Sequence, residues 1–269
     1  MAKPMPDIMN DLGASVSSIA NISGVDSALF TSMGLVPGVG PVNKFGHCSS
    51  ATLAKTDVWE LGDSIPTYIF PDESGENITI ESSQGADTQL IEIQGLNENG
   101  IEVSVSVSLT GLTPVAVDGL FTAVNRAFND SGTEIIGNVS IKGAVSGNTF
   151  AYISANEQQT TQCFYVTPSN KYIVLKNLSA SINRSGNQDA SSVVVMSVQL
   201  AGGVFRTQIR FGLQKRGTSN ISADLIAPPF YPPSTKIKIS LTPDTTDMDI
   251  SAYFSGSLID ADLYDSLGA

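Results

Sequence analysis

His47 and Cys48 are neighbours in the sequence, and an imidazole beside a thiol is the pair that cysteine-based nucleophilic catalysis uses. His47 is also the only histidine of the chain. Adjacent residues of a strand point to opposite faces of a sheet, which would separate these two side chains, and no Gly-x-Ser-x-Gly elbow occurs in the sequence. The pattern favours a local hydrogen-bonding role for His47, and we predict no catalytic residue and no enzymatic activity.

Metal and cofactor sites find little support in the residue types. A single histidine cannot supply the two or three imidazoles of the usual His-based zinc site. Asp244, Asp247 and Asp249 raise the question of calcium, but their spacing lacks the glycine and the terminal glutamate of an EF-hand loop, so a solvated turn is favoured over a calcium site. The acidic positions 260–265 similarly indicate a solvated tail. We predict no metal and no cofactor.

The composition narrows the classes of partner. The chain has 26 acidic against 14 basic residues, a net charge of −12, so a nucleic acid partner is not expected. Apolar runs stay well below the roughly 20 residues that a membrane span needs, and the N-terminus lacks the apolar region of a signal peptide. These features predict a soluble protein made in the cytosol, with Cys48 and Cys163 reduced and no membrane association.

The elements that position these side chains are predicted to be strands, because apolar and polar residues alternate from about residue 58. Ile101–Leu109 is the clearest strand, and Leu90–Gln94 with the turn Gly95–Gly100 supplies the other half of a hairpin. Comparable runs predict further strands at 78–81, 121–128, 135–141, 161–166, 171–182, 193–200, 204–213, 236–241 and 250–259. This pattern predicts a mainly β fold with two β-sandwich or jelly-roll-like domains, residues 42–145 and 146–269.

Residues 1–41 differ from the rest and are interpreted as an extended N-terminal arm with a short helix. Ile8, Leu12, Val16 and Ile19 recur at helical spacing, whereas the glycines and prolines that follow give the arm no core of its own. Two interpretations stay open: the arm docks on a neighbouring subunit and orders on contact, or the helix folds back on its own domain.

Aromatic residues concentrate in the second half of the chain, where buried rings are the usual content of a β core. Phe230 and Tyr231 differ because they lie in a proline-rich loop, Ala227–Pro233. We therefore predict these two residues as interface anchors, together with the four apolar residues of the arm.

Several short motifs, in this order, resemble those of a family of virion structural proteins of tailed, largely marine, bacteriophages. The resemblance covers most of the chain from about Val42 onward, and the arm before it is not matched. The motifs are Val42–His47, Asp57–Glu60, Val124–Phe128, Tyr165–Pro168 leading into Lys171-Tyr172, Ser181–Arg184, Gly202–Arg206 and the closing strand Ile250–Asp260. The resemblance implies a particle component located in the virion and carries over no catalytic residue.

Within that class, the expected function is a capsid decoration or cement protein that stabilises the head through its arm and loops. The expected partners are the major capsid protein or other virion proteins, and further copies of the chain, with a trimer plausible. The alternative is a tail, adaptor or fibre-attachment component that could also bind glycans. Under the first hypothesis, deleting residues 1–40 should weaken incorporation into particles and leave the β domains folded.

Overall fold

The computed structural model describes residues 27–51, 53–184, 189–215, 219–225 and 227–266. The helix predicted around Ile8, Leu12, Val16 and Ile19 lies outside the described residues. The elements, in chain order, are α1 (Ser27–Ser32), β1 (Val39–Ala51), β2 (Thr56–Asp57), β3 (Glu76–Ser82), β4 (Leu90–Asn97), β5 (Glu102–Ser108), β6 (Val115–Asn129), β7 (Val139–Gly143), β8 (Thr149–Ile153), β9 (Phe164–Val166), β10 (Lys171–Arg184), β11 (Ala190–Gln199), β12 (Arg206–Lys215), β13 (Ser219–Asp224), β14 (Phe230–Tyr231), β15 (Lys236–Pro243), β16 (Met248–Asp260) and α2 (Ala261–Ser266).

Two antiparallel sheets pack face to face and form a β-sandwich. Sheet A has the strand order β1-β16-β10-β13, with β14 beside β10, and sheet B has the order β12-β11-β15-β2, with β9 beside β15. The two-residue alternation along β16 places Ile250, Ala252 and Phe254 in the core, where they share one buried cluster with Met196 and Ile239 of sheet B. The mainly β, sandwich-containing fold predicted from the alternation is confirmed.

A third sheet, sheet C, has the order β5-β4-β6-β3-β7-β8 and curls around a core of its own. Its hairpin of β4 and β5 has the predicted partners, with Leu90 opposite Ser108 and Ile93 opposite Val105. The connection is shorter than expected, because Gly95–Asn97 continue the β4 pairing and only residues 98–101 form the turn.

Sheet membership does not follow the order of the chain. β1 pairs with β16 and β2 with β15, so both belong to the sandwich, whereas β3 to β8 form sheet C between them. The chain leaves and re-enters the sandwich at one place, where Trp59 bridges Gln162 and Cys163 N donates to Val58 O at 2.9 Å. Val39–Pro41, which the sequence assigned to the arm, are strand residues that pair with β16. The division at 145 and 146 stays a prediction.

A buried ion pair links Asp57, just before the segment that leads to sheet C, to Lys238 of sheet B. The Asp57 carboxylate, 3% exposed, accepts hydrogen bonds from Lys238 Nζ at 2.7 Å, from Ser240 Oγ at 2.6 Å and from the Tyr68 backbone N at 2.9 Å. Lys238, 11% exposed, also lies 4.7 Å from the centre of the Phe205 ring. Each buried charge therefore depends on the other for compensation.

Candidate functional site

Three aromatic rings stack at one end of sheet A, and we call them the aromatic cluster: Tyr172 of β10, Phe230 of β14 and Tyr264 of α2. The ring centres are separated by 4.9 Å between Tyr172 and Phe230, 4.5 Å between Tyr172 and Tyr264, and 4.9 Å between Phe230 and Tyr264. These separations are those of favourable aromatic pairs. Phe230 is 39% exposed, so the cluster presents an apolar surface to solvent.

Local strand pairing explains how distant residues meet in the cluster. The proline-rich loop delivers β14 to β10, where Phe230 pairs with Val174 and Tyr231 with Ile173. Tyr172 lies two residues before Val174, the residue opposite Phe230. It therefore points to the same face of the sheet as Phe230. Tyr264 arrives from the other side, because α2 begins directly after β16 ends beside Lys171.

The segment that leads into β1 passes the same end of the sheet. Asp260 N donates to Gly38 O at 2.8 Å, and Gly38 lies against the side chain of Leu263 in α2. Gly38 has a φ of +71°, a conformation that glycine adopts without strain, so the tight approach is compatible with its residue type. Just before it, Met33 and Leu35 are exposed. The aromatic cluster therefore lies where the N-terminal residues join the fold.

Phe230 and Tyr231, both predicted as interface anchors, take different positions. Tyr231 is only 8% exposed and packs into the sandwich core, so Phe230 is the residue of this pair that a partner can contact in the free chain. The sequence did not single out Tyr264, which lies in the acidic segment interpreted as a solvated tail. From Ala261 onward that segment forms α2. Asp260, the last residue of β16, has its Oδ1 atom 3.5 Å from Lys171 Nζ.

His47 takes part in a hydrogen-bond network rather than in a pair with Cys48. Its Nδ1 lies 3.3 Å from Glu60 Oε1, which also accepts from Thr161 Oγ1 at 2.5 Å, and Ser154 Oγ donates to Glu60 Oε2 at 3.1 Å. The hydrogen bond that His47 donates to Glu60 raises the pKa of His47. Burial alone would raise the pKa of Glu60, but the hydrogen bonds from His47 and Thr161 bring that pKa below its usual value. The network connects β1 to the residues that follow sheet C, a structural role.

Lys44 points to the opposite face of β1 from His47, at the joint between the sandwich and sheet C. Its Nζ donates to the backbone O of Asn125, whose side chain exchanges two hydrogen bonds with the Val166 backbone, at 3.1 and 2.9 Å. Burial lowers the pKa of Lys44 to about 8. The adjoining cleft, about 530 Å³ in volume, also contains Arg126 and Glu102. The shared hydrogen bonds fix the relative positions of the two units.

Cys48 and Cys163 are both free and buried. Burial raises the pKa of Cys48 to about 12 and raises that of Cys163 as well. We expect neither thiol to react with a soluble disulfide reagent in the native protein, with rates at least about 1,000-fold below those of the urea-unfolded chain. Mass spectrometry after timed labelling measures this, and rapid native labelling of either cysteine would contradict the packing described.

Asp244, one of the three aspartates considered as calcium ligands, stabilises a turn. Asp244 accepts hydrogen bonds from the backbone N and Oγ of Ser191, at 2.8 and 2.7 Å, which closes the turn after β15 onto β11. Within the described ranges, no group of three or more His, Cys, Asp or Glu side chains is placed to hold a metal ion. Across those same ranges, the helices are too short to cross a bilayer.

No family model and no curated protein matches the chain. Among solved structures, the VP2 subviral particle of infectious bursal disease virus is 10% identical over 84% of this chain and 72% of that chain, with a TM-score of 0.24. The structure of the Gx strain of that virus is 12% identical, with coverages of 82% and 72% and a TM-score of 0.25. Empty particles of cowpea mosaic virus give 11% identity, coverages of 70% and 82%, and a TM-score of 0.23. TM-scores this low do not establish a common fold.

Proposed function

We propose that the chain is a structural component of a bacteriophage virion, a capsid decoration or cement protein that binds the head through its N-terminal arm and its loops. The observation that carries the proposal is the exposed aromatic cluster beside the point where the N-terminal residues join sheet A. The ordered motifs that resemble those of phage virion proteins support the same class. The partners proposed are the major capsid protein and further copies of this chain, in a trimer.

The geometry of the cluster suits a protein interface for two reasons. Phe230 is already packed against both tyrosine rings, so a partner would not have to immobilise a free side chain on binding. Each tyrosine also has a hydroxyl that can hydrogen-bond at the edge of an apolar contact, which is why tyrosine is frequent among residues that dominate binding energies. Arm and cluster together would give each copy two attachment points, and linked contacts strengthen one another.

The double substitution Phe230→Ala with Tyr264→Ala tests this interface. Because both rings would be buried by the partner, we expect binding to heads assembled without this chain to weaken by about 100-fold or more. Cosedimentation of the purified protein with such heads measures the affinity. The control is Val145→Ser. Val145 lies in the turn between β7 and β8 and is 91% exposed, so this variant should bind like the wild type. Equal binding by all three proteins would remove the cluster from the interface.

A tail, adaptor or fibre-attachment component is the second candidate. It is favoured by a separate groove on the outer face of sheet A, away from the core-facing side, which offers a second surface for recognition. Antibody labelling of intact particles separates the two locations, because label on the head supports the first candidate and label on the tail supports the second.

A further inference from the structure

The outer face of sheet A carries two rows of side chains that run across all four main strands. Cα register places Phe45, Tyr253, Ser179 and Ser222 in one row, and His47, Ser251, Ser181 and Asn220 in the next. Residues two apart on a strand share a face, so both rows point away from the sandwich core. With Thr161 and neighbouring backbone they line a groove of about 470 Å³, within the range of roughly 300–1,000 Å³ that ligand sites occupy.

Two aromatic residues occupy neighbouring positions of the first row. Phe45 and Tyr253 are directly opposite each other on β1 and β16, and Phe45 is 41% exposed. The hydroxyl of Tyr253 donates to Asn43 Oδ1 at 2.9 Å, which fixes the tilt of its ring. An apolar side chain left this exposed on a sheet face gains little from folding, so the surface of Phe45 is available for a ligand.

The rest of the groove is mostly polar. Lysine, arginine, aspartate and glutamate are absent from its described lining, where the polar side chains are short hydroxyls, one amide and the imidazole of His47, which is held by Glu60 at 3.3 Å. Among the described residues, the side chains of Ser179, Ser181, Ser251 and Asn220 have no hydrogen-bond partner within the chain. These groups are free to donate to and accept from a bound molecule.

We propose that this groove binds a neutral oligosaccharide. A sugar ring has an apolar C–H face that can lie on the rings of Phe45 and Tyr253, and hydroxyls at its rim that match serine and asparagine side chains. An anionic ligand would meet only the imidazole of His47, which is already paired with Glu60, and a cationic ligand would find no carboxylate in the described lining. A lipid tail would leave the hydroxyls unsatisfied. The inference supplies a ligand class for the second candidate function, and its test needs no particle.

The experiment presents purified full-length protein to an array of neutral and anionic glycans, followed by isothermal titration of the strongest neutral binder. We expect binding confined to neutral glycans, with dissociation constants in the range of about 0.1–1 mM for one shallow groove. Phe45→Ala and Tyr253→Ala should each weaken it at least about tenfold, whereas Tyr253→Phe, which keeps the ring, should retain most of the affinity. Leu112→Ala, at an apolar side chain that is 65% exposed and lies outside the groove, serves as the control and should bind normally.

Three results would overturn the inference. In the first, the array retains no neutral glycan or retains only anionic ones. In the second, the wild type and both alanine variants bind with equal affinity. In the third, sedimentation shows a self-association that Phe45→Ala abolishes, which would assign the groove to a second copy of the chain. Melting temperatures within about 2 °C of the wild type show that the variants are folded, as expected for exposed positions. Because no head or tail is present, failure here leaves the proposed particle role untouched, and loss of head binding leaves the glycan result untouched.

Discussion

Asp57→Ala is expected to lower the free energy of unfolding by about 3–5 kcal/mol, because it leaves the buried ammonium of Lys238 without its counter-charge. The change also deprives Ser240 Oγ and the Tyr68 backbone N of their acceptor. Since typical domains are stable by only about 5–15 kcal/mol, a loss of this size should show as poor soluble expression at 37 °C. Urea unfolding followed by circular dichroism at 25 °C measures it.

The same strand supplies the matched control. Lys236, two residues before Lys238 on β15, pairs with Glu73 at 2.9 Å, but the side chain of Glu73 is 65% exposed. An exposed pair contributes about 0–1 kcal/mol, so Glu73→Ala should cost no more than that. If the two alanine variants unfold at the same urea concentration, the pair at Asp57 is not compensating a buried charge. The double variant Asp57→Ala with Lys238→Met should recover part of the loss, because it removes the unpaired cation.

Deleting residues 1–26 is expected to reduce the copies incorporated per particle by about tenfold or more, while the purified chain keeps its melting temperature within about 2 °C. The four buried hydrophobic clusters of the described chain are built from residues after position 41, so the truncation removes none of their members. The boundary is earlier than the sequence suggested, because a deletion through residue 40 would cut into β1 and its pairing with β16. Densitometry of purified particles gives the copy number.

Two point variants refine this experiment. Leu12→Asp places a charge within the predicted apolar stripe and should reproduce most of the loss, whereas Asn10→Ala, outside the stripe, should incorporate normally. Normal incorporation of the truncated chain would show that the arm does not attach it. A large drop in melting temperature on truncation would favour the other interpretation, in which the helix folds back on its own domain.

The parts of the fold that could be predicted are those whose signal is local. The β4 and β5 hairpin follows from alternation over adjacent runs, and Ile250–Ile259 of β16 from the same rule. β13 could not be predicted, because Ser219–Asp224 is largely polar and becomes a strand only beside the long edge of β10. Propensity cannot report a pairing that a distant strand provides.

The sequence did not predict β1 for a related reason. It contains Gly40, Pro41 and Gly46, residues that weaken a strand prediction. Gly46 is required by tertiary packing, since a Cβ there would lie 2.5 Å from Cys163 N and 2.6 Å from Val58 O.

Among the residues of the aromatic cluster, likewise, only one with a local sequence signal could be predicted. Phe230 was indicated by its proline-rich surroundings, which is a local signal. Tyr264 was not, because its contact with Tyr172 arises only when α2 turns back after β16. The rows of the groove were equally inaccessible, since they combine one residue from each of four strands that are far apart in the sequence.

The pairing of β1 with β16 also sets the timing of folding during synthesis. Val39 finds its neighbour Ile259 only after the ribosome has synthesised residue 259, whereas all six strands of sheet C have emerged well before that. Sheet C can therefore form early, and the sandwich must wait with β1 unpaired. A translation product interrupted before β16 would expose the edges of β1 and β10 that β16 covers, and it would be prone to aggregation.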